Sequence, residues 1–330
     1  MIDVLRRRKT VASPQATAPA PDGGDGLVWV SLASLLALHH GADALALQPR
    51  RVRAPGSGGY VSPFKGRGME FDETRPYTQG DDVRSIDWRV TARSGKPHTK
   101  LFREERERAV LLWVDLRPAM FFATRGSFKA VRAAQAAALL GWNALHHGDR
   151  LGALLFDERS HEELRPKRGQ PPFMHVLQRL AAHPSWHNPL RRDDEPAAAA
   201  VLLHQALLRL RRVAQPGSLI ILLSDFTGFD GRGAALLAPL ARHNDVLTVH
   251  IHDPLEEELP PAGHYRVSDG RRIISVETGD VGRRERYRRH FAERQDELRH
   301  FCHRHGVTLL PLSTADDPLS VLQRRLGRRR

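Results

Sequence analysis

Val110-Leu-Leu-Trp-Val114, closed by Asp115, and Leu219-Ile-Ile-Leu-Leu223, closed by Ser224-Asp225, decide the fold. Neither run shows the polar alternation of a strand with one wet face. A strand apolar on both sides has to be covered on both sides. The surrounding segments supply the cover. From Ser127 to His147, Phe128, Val131, Ala134, Ala138, Trp142 and Leu145 recur at helical spacing, and Gly148 stops the helix. Further strands are expected at Leu151–Phe156, at Val246–His252 ending on Asp253, and at Val307–Pro311, with a short edge strand at His161–Arg165. Helices are expected at Phe173–His183, Ala197–Val213, Gly233–His243, Asp280–His305 and Asp316–Leu326. Asp269-Gly270 turns a hairpin of Tyr265–Ser268 and Arg272–Val276. Apolar strands alternating with helices predict an α/β fold, a mostly parallel sheet with helices on both faces. Ligands of such sheets gather beyond the carboxyl ends of the strands. Asp115, Asp225 and Asp253 all stand there.

Upstream of residue 109 the texture differs. Residues 49–108 carry frequent Gly and Pro, scattered apolar residues and dense charge, which predicts strands and loops without a helix of useful length. Val28–Val30 reads as a short strand, and Ser31 as the cap of a helix to Leu38. The resulting organisation is a disordered tail over 1–26, a β-rich region over 27–108, the α/β domain over 109–325 and a basic tail over 326–330.

The chain has 330 residues, 41% of them hydrophobic, which suffices for a sizeable core. Lys and Arg number 51 against 38 Asp and Glu, a formal charge of +13, and 45 of the 51 are Arg. The Arg residues are spread along the chain among acids. Arg283–Arg289 is the densest run, with five Arg and one Glu on an expected helix. This distribution reads first as a solvated basic face, next as a surface for acidic protein partners, and last as a nucleic-acid surface, because no nucleic-acid motif accompanies it. Cys302 is the single cysteine, which excludes a disulfide scaffold and a cysteine-based zinc site. The longest charge-free stretch near the N-terminus, Leu27–Leu38, has 12 residues and is too short to span a bilayer. No apolar segment follows Arg6-Arg-Arg-Lys9, so no signal peptide is read and a cytoplasmic location is expected. No GxGxxG follows a strand. Gly56-Ser-Gly-Gly59 lacks the Lys-Ser/Thr ending of a phosphate loop, and Ser224-Asp225 lacks the GxSxG elbow of a hydrolase.

One block is denser in chemistry than the rest: Gly66-Arg67-Gly68-Met-Glu70-Phe71, then Arg75-Pro-Tyr77, then Gly80-Asp81-Asp82-Val-Arg84-Ser-Ile-Asp87-Trp88, then Thr91-Ala-Arg93. Read on its residues alone, Gly80-Asp81-Asp82 is a turn signal with two carboxylates free to accept backbone N–H groups. Arg75, Arg84 and Arg93 are able to pair with Asp81, Asp82 and Asp87 as forked ion pairs. Trp88 and Tyr77 add apolar mass with a polar handle. With no His or nucleophile nearby, the block predicts a structural or docking network and no catalytic centre. Together with Lys100-Leu-Phe102, Leu219–Asp225 and Asp253-Pro-Leu-Glu256, this pattern resembles a large bacterial domain-of-unknown-function family. That family has a von Willebrand factor A-like half and is commonly encoded beside MoxR-type AAA+ ATPases. The resemblance spans about residues 28–325.

That resemblance implies a place for Mg²⁺ at the carboxyl end of the sheet. Its ligands would be a DxSxS after the first strand, a Thr from a later loop and an Asp after a later strand, all oxygen donors suited to a hard cation. Here the first element reads Asp115-Leu-Arg117-Pro-Ala119, so both Ser positions are lost, while the later Asp is kept as Asp225. The loop expected to give the Thr, Arg191–Pro196, contains none. The expectation is a degenerate site with no metal. A guanidinium at Arg117 is placed to bridge Asp115 and Asp225 where a cation would lie.

The functional expectation is a non-enzymatic protein-interaction module. The resemblance implies an adaptor of a MoxR-type AAA+ ATPase, acting on a protein client, with no cofactor and no membrane span. Two alternatives stay open: a metal-dependent binder or enzyme using Asp115 and Asp225, and a basic nucleic-acid-associated protein.

Overall fold

The computed structural model describes residues 24–45, 69–78, 83, 86–104, 108–187, 196–268 and 273–327. Six strands form its central sheet: β3 (Ala109–Asp115), β4 (Arg150–Phe156), β5 (His161–Arg168), β6 (Leu219–Ser224), β7 (Asp245–His252) and β10 (Thr308–Ser313), in the order β10-β7-β6-β3-β4-β5. All neighbours run parallel except β4 and β5. The chain therefore steps from β3 to β4 on one side, then returns to β6 on the other side of β3. The strand order reverses at β3 and β6.

The apolar runs alternate between two cores. Val110, Leu112 and Val114 face one layer, with Leu111 and Trp113 facing the other. On the first side lie α4 (Lys129–His146), α5 (Gln170–Ala181) and α10 (Pro318–Leu326). On the second lie α6 (Pro196–Val213), α7 (Gly231–His243) and α9 (Val281–His305). Each fully buried Leu, Ile or Val contributes on the order of 1.5–3 kcal/mol, so the two-sided burial of β3 and β6 fixes their place at the centre. Asp280 caps α9, and Gly306, at φ 68°, ends it.

β5 closes one edge of the sheet. Gly152 on β4 sits at a register shift opposite it, where a Cβ would lie 2.5 Å from the Leu164 carbonyl and 2.6 Å from the Pro166 nitrogen. The β-bulge depends on glycine at that position.

The first described residues differ from expectation in one element. Val28–Val30 is not a strand; Val28 lies in a turn closed by an isolated bridge between Asp25 and Trp29. Asp25 accepts hydrogen bonds from Ser31 N and Ser34 Oγ, both 2.8 Å. Ser31 caps α1 (Leu32–Ala37) as expected, and α2 (His39–Ala42) follows. Both belong to the layer on α4: Asn143 Nδ2 donates to the carbonyls of Ala42 and Leu45 at 3.0 and 2.9 Å. Leu32–Ala37 and His39–Ala42 are thus helical, and Val30, Leu35, Ala42 and Leu45 join the main core.

From residue 69 the described chain holds β1 (Met69–Pro76) paired antiparallel with β2 (His98–Glu104). It also holds a helix the sequence does not announce, α3 (Trp88–Ser94), between Asp87 as N-cap and Gly95 at φ 69°. After β7 come α8 (Pro254–Glu257) and the hairpin β8 (His264–Ser268) with β9 (Ile273–Glu277). Its turn, with Asp269-Gly270, lies outside the described residues. No helix among them is long and apolar enough to cross a membrane.

Candidate functional site

The reversal of strand order puts a crevice beyond the carboxyl ends of β3 and β6, the place where open α/β sheets bind ligands. In this protein the crevice is filled by its own charges. Asp115, the last residue of β3, is fully buried. Its Oδ1 accepts from the backbone N–H and the Nε of Arg117, both at 3.0 Å. Its Oδ2 accepts from Arg117 Nη2 and from Ser224 Oγ, both at 2.6 Å. Arg117 is only 3% exposed. Its Nη1 donates to the carbonyls of Ala199 at 2.9 Å and Thr227 at 3.1 Å, and its Nη2 lies 3.7 Å from Asp225 Oδ1. The guanidinium joins the two strand-end carboxylates, as its spacing from Asp115 suggested.

A second cation completes the site, and sequence reasoning missed it. Lys129, the first residue of α4, is 1% exposed. Its Nζ donates to Asp225 Oδ2 at 2.8 Å and to Glu256 Oε1 at 2.6 Å. A cation at a helix N-terminus opposes the helix dipole. The available signal was Lys129 opening the helix, with Arg132 in the same turn, in breach of that rule.

Glu256 connects the site to the next strand end, because its Oε2 accepts from the backbone N–H of Asp253. Asp253 in turn accepts from Thr124 Oγ1 and Thr314 Oγ1, both at 2.6 Å, and from Thr124 N at 2.7 Å. These contacts tie the ends of β7 and β10 to the loop before α4. Phe226, at φ 54°, turns the chain sharply after Asp225 while its N–H donates to Ser224 Oγ. That left-handed geometry is uncommon for a bulky residue and is held by the surrounding packing.

The electrostatics follow from this geometry. Burial alone would raise the Asp225 carboxyl, but Lys129 and then Arg117 outweigh it and hold it well below the usual carboxylate range. Burial would likewise discharge both cations. Asp115 and Asp225 reverse this for Arg117, and Asp225 and Glu256 reverse it for Lys129, so both are held charged above their ordinary values. Burial would raise Asp253 too, and the hydrogen bonds from Thr124 and Thr314 overcome it. On the second face of the sheet, burial and His252 push His250 down to about 3, leaving a neutral imidazole beside the site.

The residues present do not fit a magnesium ion. Mg²⁺ needs near-octahedral oxygen ligands at about 2.0–2.1 Å. Here the carboxylate oxygens that would face it are occupied by guanidinium and ammonium groups, and Ala119 offers no donor within a short turn, Pro118–Met120. No group of three or more His, Cys, Asp or Glu suited to a metal occurs among the described residues. Most of Arg191–Pro196, read as the loop lacking the Thr, lies outside them.

The upstream block is placed in part. Gly66, Arg67, Gly68, Gly80, Asp81, Asp82 and Arg84 lie outside the described residues; Glu70 and Phe71 are placed on β1 by backbone only. Arg75 Nη1 donates to Thr78 Oγ1 at 2.6 Å, and the Tyr77 N–H donates to the Pro97 carbonyl at 2.8 Å. Asp87 Oδ1 accepts from the N–H groups of Arg89 and Val90, capping α3. Thr91 Oγ1 accepts from His98 N, and Arg93 is exposed in the last turn of α3. Trp88, expected as apolar mass within the network, is 68% exposed. As the first helical residue after its cap, it projects outward.

Residues 73–299 match the family model described as protein of unknown function, DUF58. Uncharacterized proteins of Mycobacterium tuberculosis (strain H37Rv) and Mycobacterium bovis are each 30% identical over 274 residues, 83% of this chain and 83% of theirs. Among solved structures, the conserved hypothetical protein BatB from Bacteroides thetaiotaomicron aligns with a TM-score of 0.40 at 12% identity, over 66% of this chain and 96% of that one.

Proposed function

The chain belongs to the DUF58 family of proteins of unknown function, and from that premise we propose that it is a non-enzymatic protein-interaction module whose ligand crevice works without a metal. One observation carries this reading. The position where a von Willebrand A-like domain would hold an exchangeable cation is closed by Arg117 and Lys129, locked on Asp115, Asp225 and Glu256. A permanent charge replaces one that comes and goes, so the strand-end loops keep one shape at every metal concentration. Arg117 and Lys129 are buried and spent on their partners, which leaves neither available as an acid, base or nucleophile for catalysis.

The resemblance to proteins encoded beside MoxR-type AAA+ ATPases supplies the partner in this proposal. The module acts as an adaptor between such an ATPase and a protein client, in the cytoplasm. The test is affinity capture of the full chain from its native cell, with and without Mg²⁺-ATP. The expected result is an AAA+ ATPase whose recovery depends on the nucleotide. No ATPase in either nucleotide state overturns the proposal.

A further inference from the structure

A second opening lies beside the filled crevice, beyond the carboxyl ends of β7 and β10 and between α9 and α10. It is a cleft of about 650 Å³. We infer that this cleft receives an acidic segment of a partner polypeptide. The inference rests on the reading of the chain as an interaction module and names the chemistry of one contact.

Three guanidinium groups line the cleft: Arg299 from α9, with Arg324 and Arg325 from the last turn of α10. The carboxylates on its walls are already engaged. Glu257 holds His252 Nε2 at 2.9 Å, and Asp316 accepts the Ser313 N–H at 3.0 Å. Arg299 pairs with Asp296 on its own helix. Arg324 and Arg325 are exposed, and no carboxylate partner for either occurs among the described residues. Adjacent guanidinium groups repel, and their planar forks match carboxylates in paired hydrogen bonds. An incoming Asp or Glu side chain relieves the first and satisfies the second.

Size and lining select the occupant. The volume falls in the range of sites that enclose several chemical groups, about 300–1,000 Å³, more than one small anion fills. Single-stranded nucleic acid binds where aromatic side chains stack on its bases, and no Phe, Tyr or Trp lines this cleft. A short run of peptide rich in Asp and Glu fits both the volume and the charge.

The experiment uses the purified full chain and a fluorescent peptide rich in Asp and Glu, read by anisotropy. A Lys-rich peptide and a single-stranded oligonucleotide serve as rival probes. The cleft is tested by Arg324→Glu with Arg325→Glu. The control is Arg283→Glu with Arg286→Glu, the same charge change on the exposed first turns of α9. The acidic peptide is expected to bind, with at least a tenfold loss in the cleft variant and less than a twofold loss in the control. No binding of the acidic peptide, equal losses in both variants, or tighter binding of the oligonucleotide overturns the inference. Capture of the ATPase from cells distinguishes the two failures. An ATPase still recovered by a chain that binds no acidic peptide refutes the cleft and spares the module. A chain that recovers no ATPase refutes the adaptor, whatever the peptide does.

Discussion

Lys129→Met removes one charge from a closed set and leaves the length of the side chain nearly intact. Two ion pairs vanish, at 2.8 Å to Asp225 and 2.6 Å to Glu256. Their former partners respond differently. The Asp225 side chain is 3% exposed and keeps only the Arg117 guanidinium at 3.7 Å and its backbone donor, whereas Glu256, 25% exposed, turns to water. Breaking a buried pair by removing one member costs about 3–5 kcal/mol, and the freedom of Glu256 puts this case at the low end, about 3 kcal/mol. For a domain of this size that lowers Tm by about 6–12 °C. The pH dependence gives a second signature. Asp225 is held below its unfolded value, so the stability it contributes is present above about pH 4 and is lost as pH falls through its folded pKa. Without Lys129 the Asp225 carboxyl rises, and the variant gains less from ionising it. The Tm gap between the two proteins is therefore widest near neutrality and narrows below about pH 4. Thermal melts followed by circular dichroism across that range measure both effects. A neutral-pH gap smaller than about 2 °C, or a gap of constant size into acid, refutes the account of Lys129 as an internal counter-ion.

Three further outcomes are expected. Millimolar Mg²⁺ leaves the Tm of the natural chain unchanged, although a ligand at 100 times its Kd would add about 2.7 kcal/mol; a rise that Asp115→Ala abolishes contradicts the closed site. Arg117→Ser with Ala119→Ser destabilises the protein in chelator, and Mg²⁺ restores stability only when Lys129→Met is added, since Lys129 otherwise still holds Asp225; rescue of the double variant by Mg²⁺ alone counts against that role. Asp87→Ala removes the cap of α3 and costs at least about 1 kcal/mol; a urea titration showing no loss refutes the capping role.

The sheet was readable because each central strand is apolar on both faces and ends in Asp. Those two facts imply covering layers and a carboxyl-end crevice without knowledge of the contacts. Arg117 was readable for a local reason, since it stands two residues after the carboxylate it binds. Lys129 and Glu256 are separated from Asp225 by 96 and 31 positions in the chain, and only the layered packing brings them together. Thr124 and Thr314 meet Asp253 in the same way. Val28–Val30 misled because a short apolar run serves a tight turn as well as a strand, whereas Ser31 marked the following helix correctly. The capping role of Asp87 was not read because a carboxylate two and three residues before free N–H groups reads equally as a cap or as half of an ion pair.

The bulge at Gly152 and the strand it faces also bear on how the protein behaves in a crowd. A sheet margin with free N–H and C=O groups is a template on which another chain can grow. β5 offers a poor one. Pro166 interrupts its row of donors, the kinked register spoils its flatness, and His161, Glu162, Glu163, Arg165, Lys167 and Arg168 surround the single apolar residue, Leu164. Chains concentrated beside one another stay separate only where such margins are blunted. On this flank, strand-by-strand polymerisation is blocked by composition, and productive encounters are left to side-chain surfaces, where recognition can be specific.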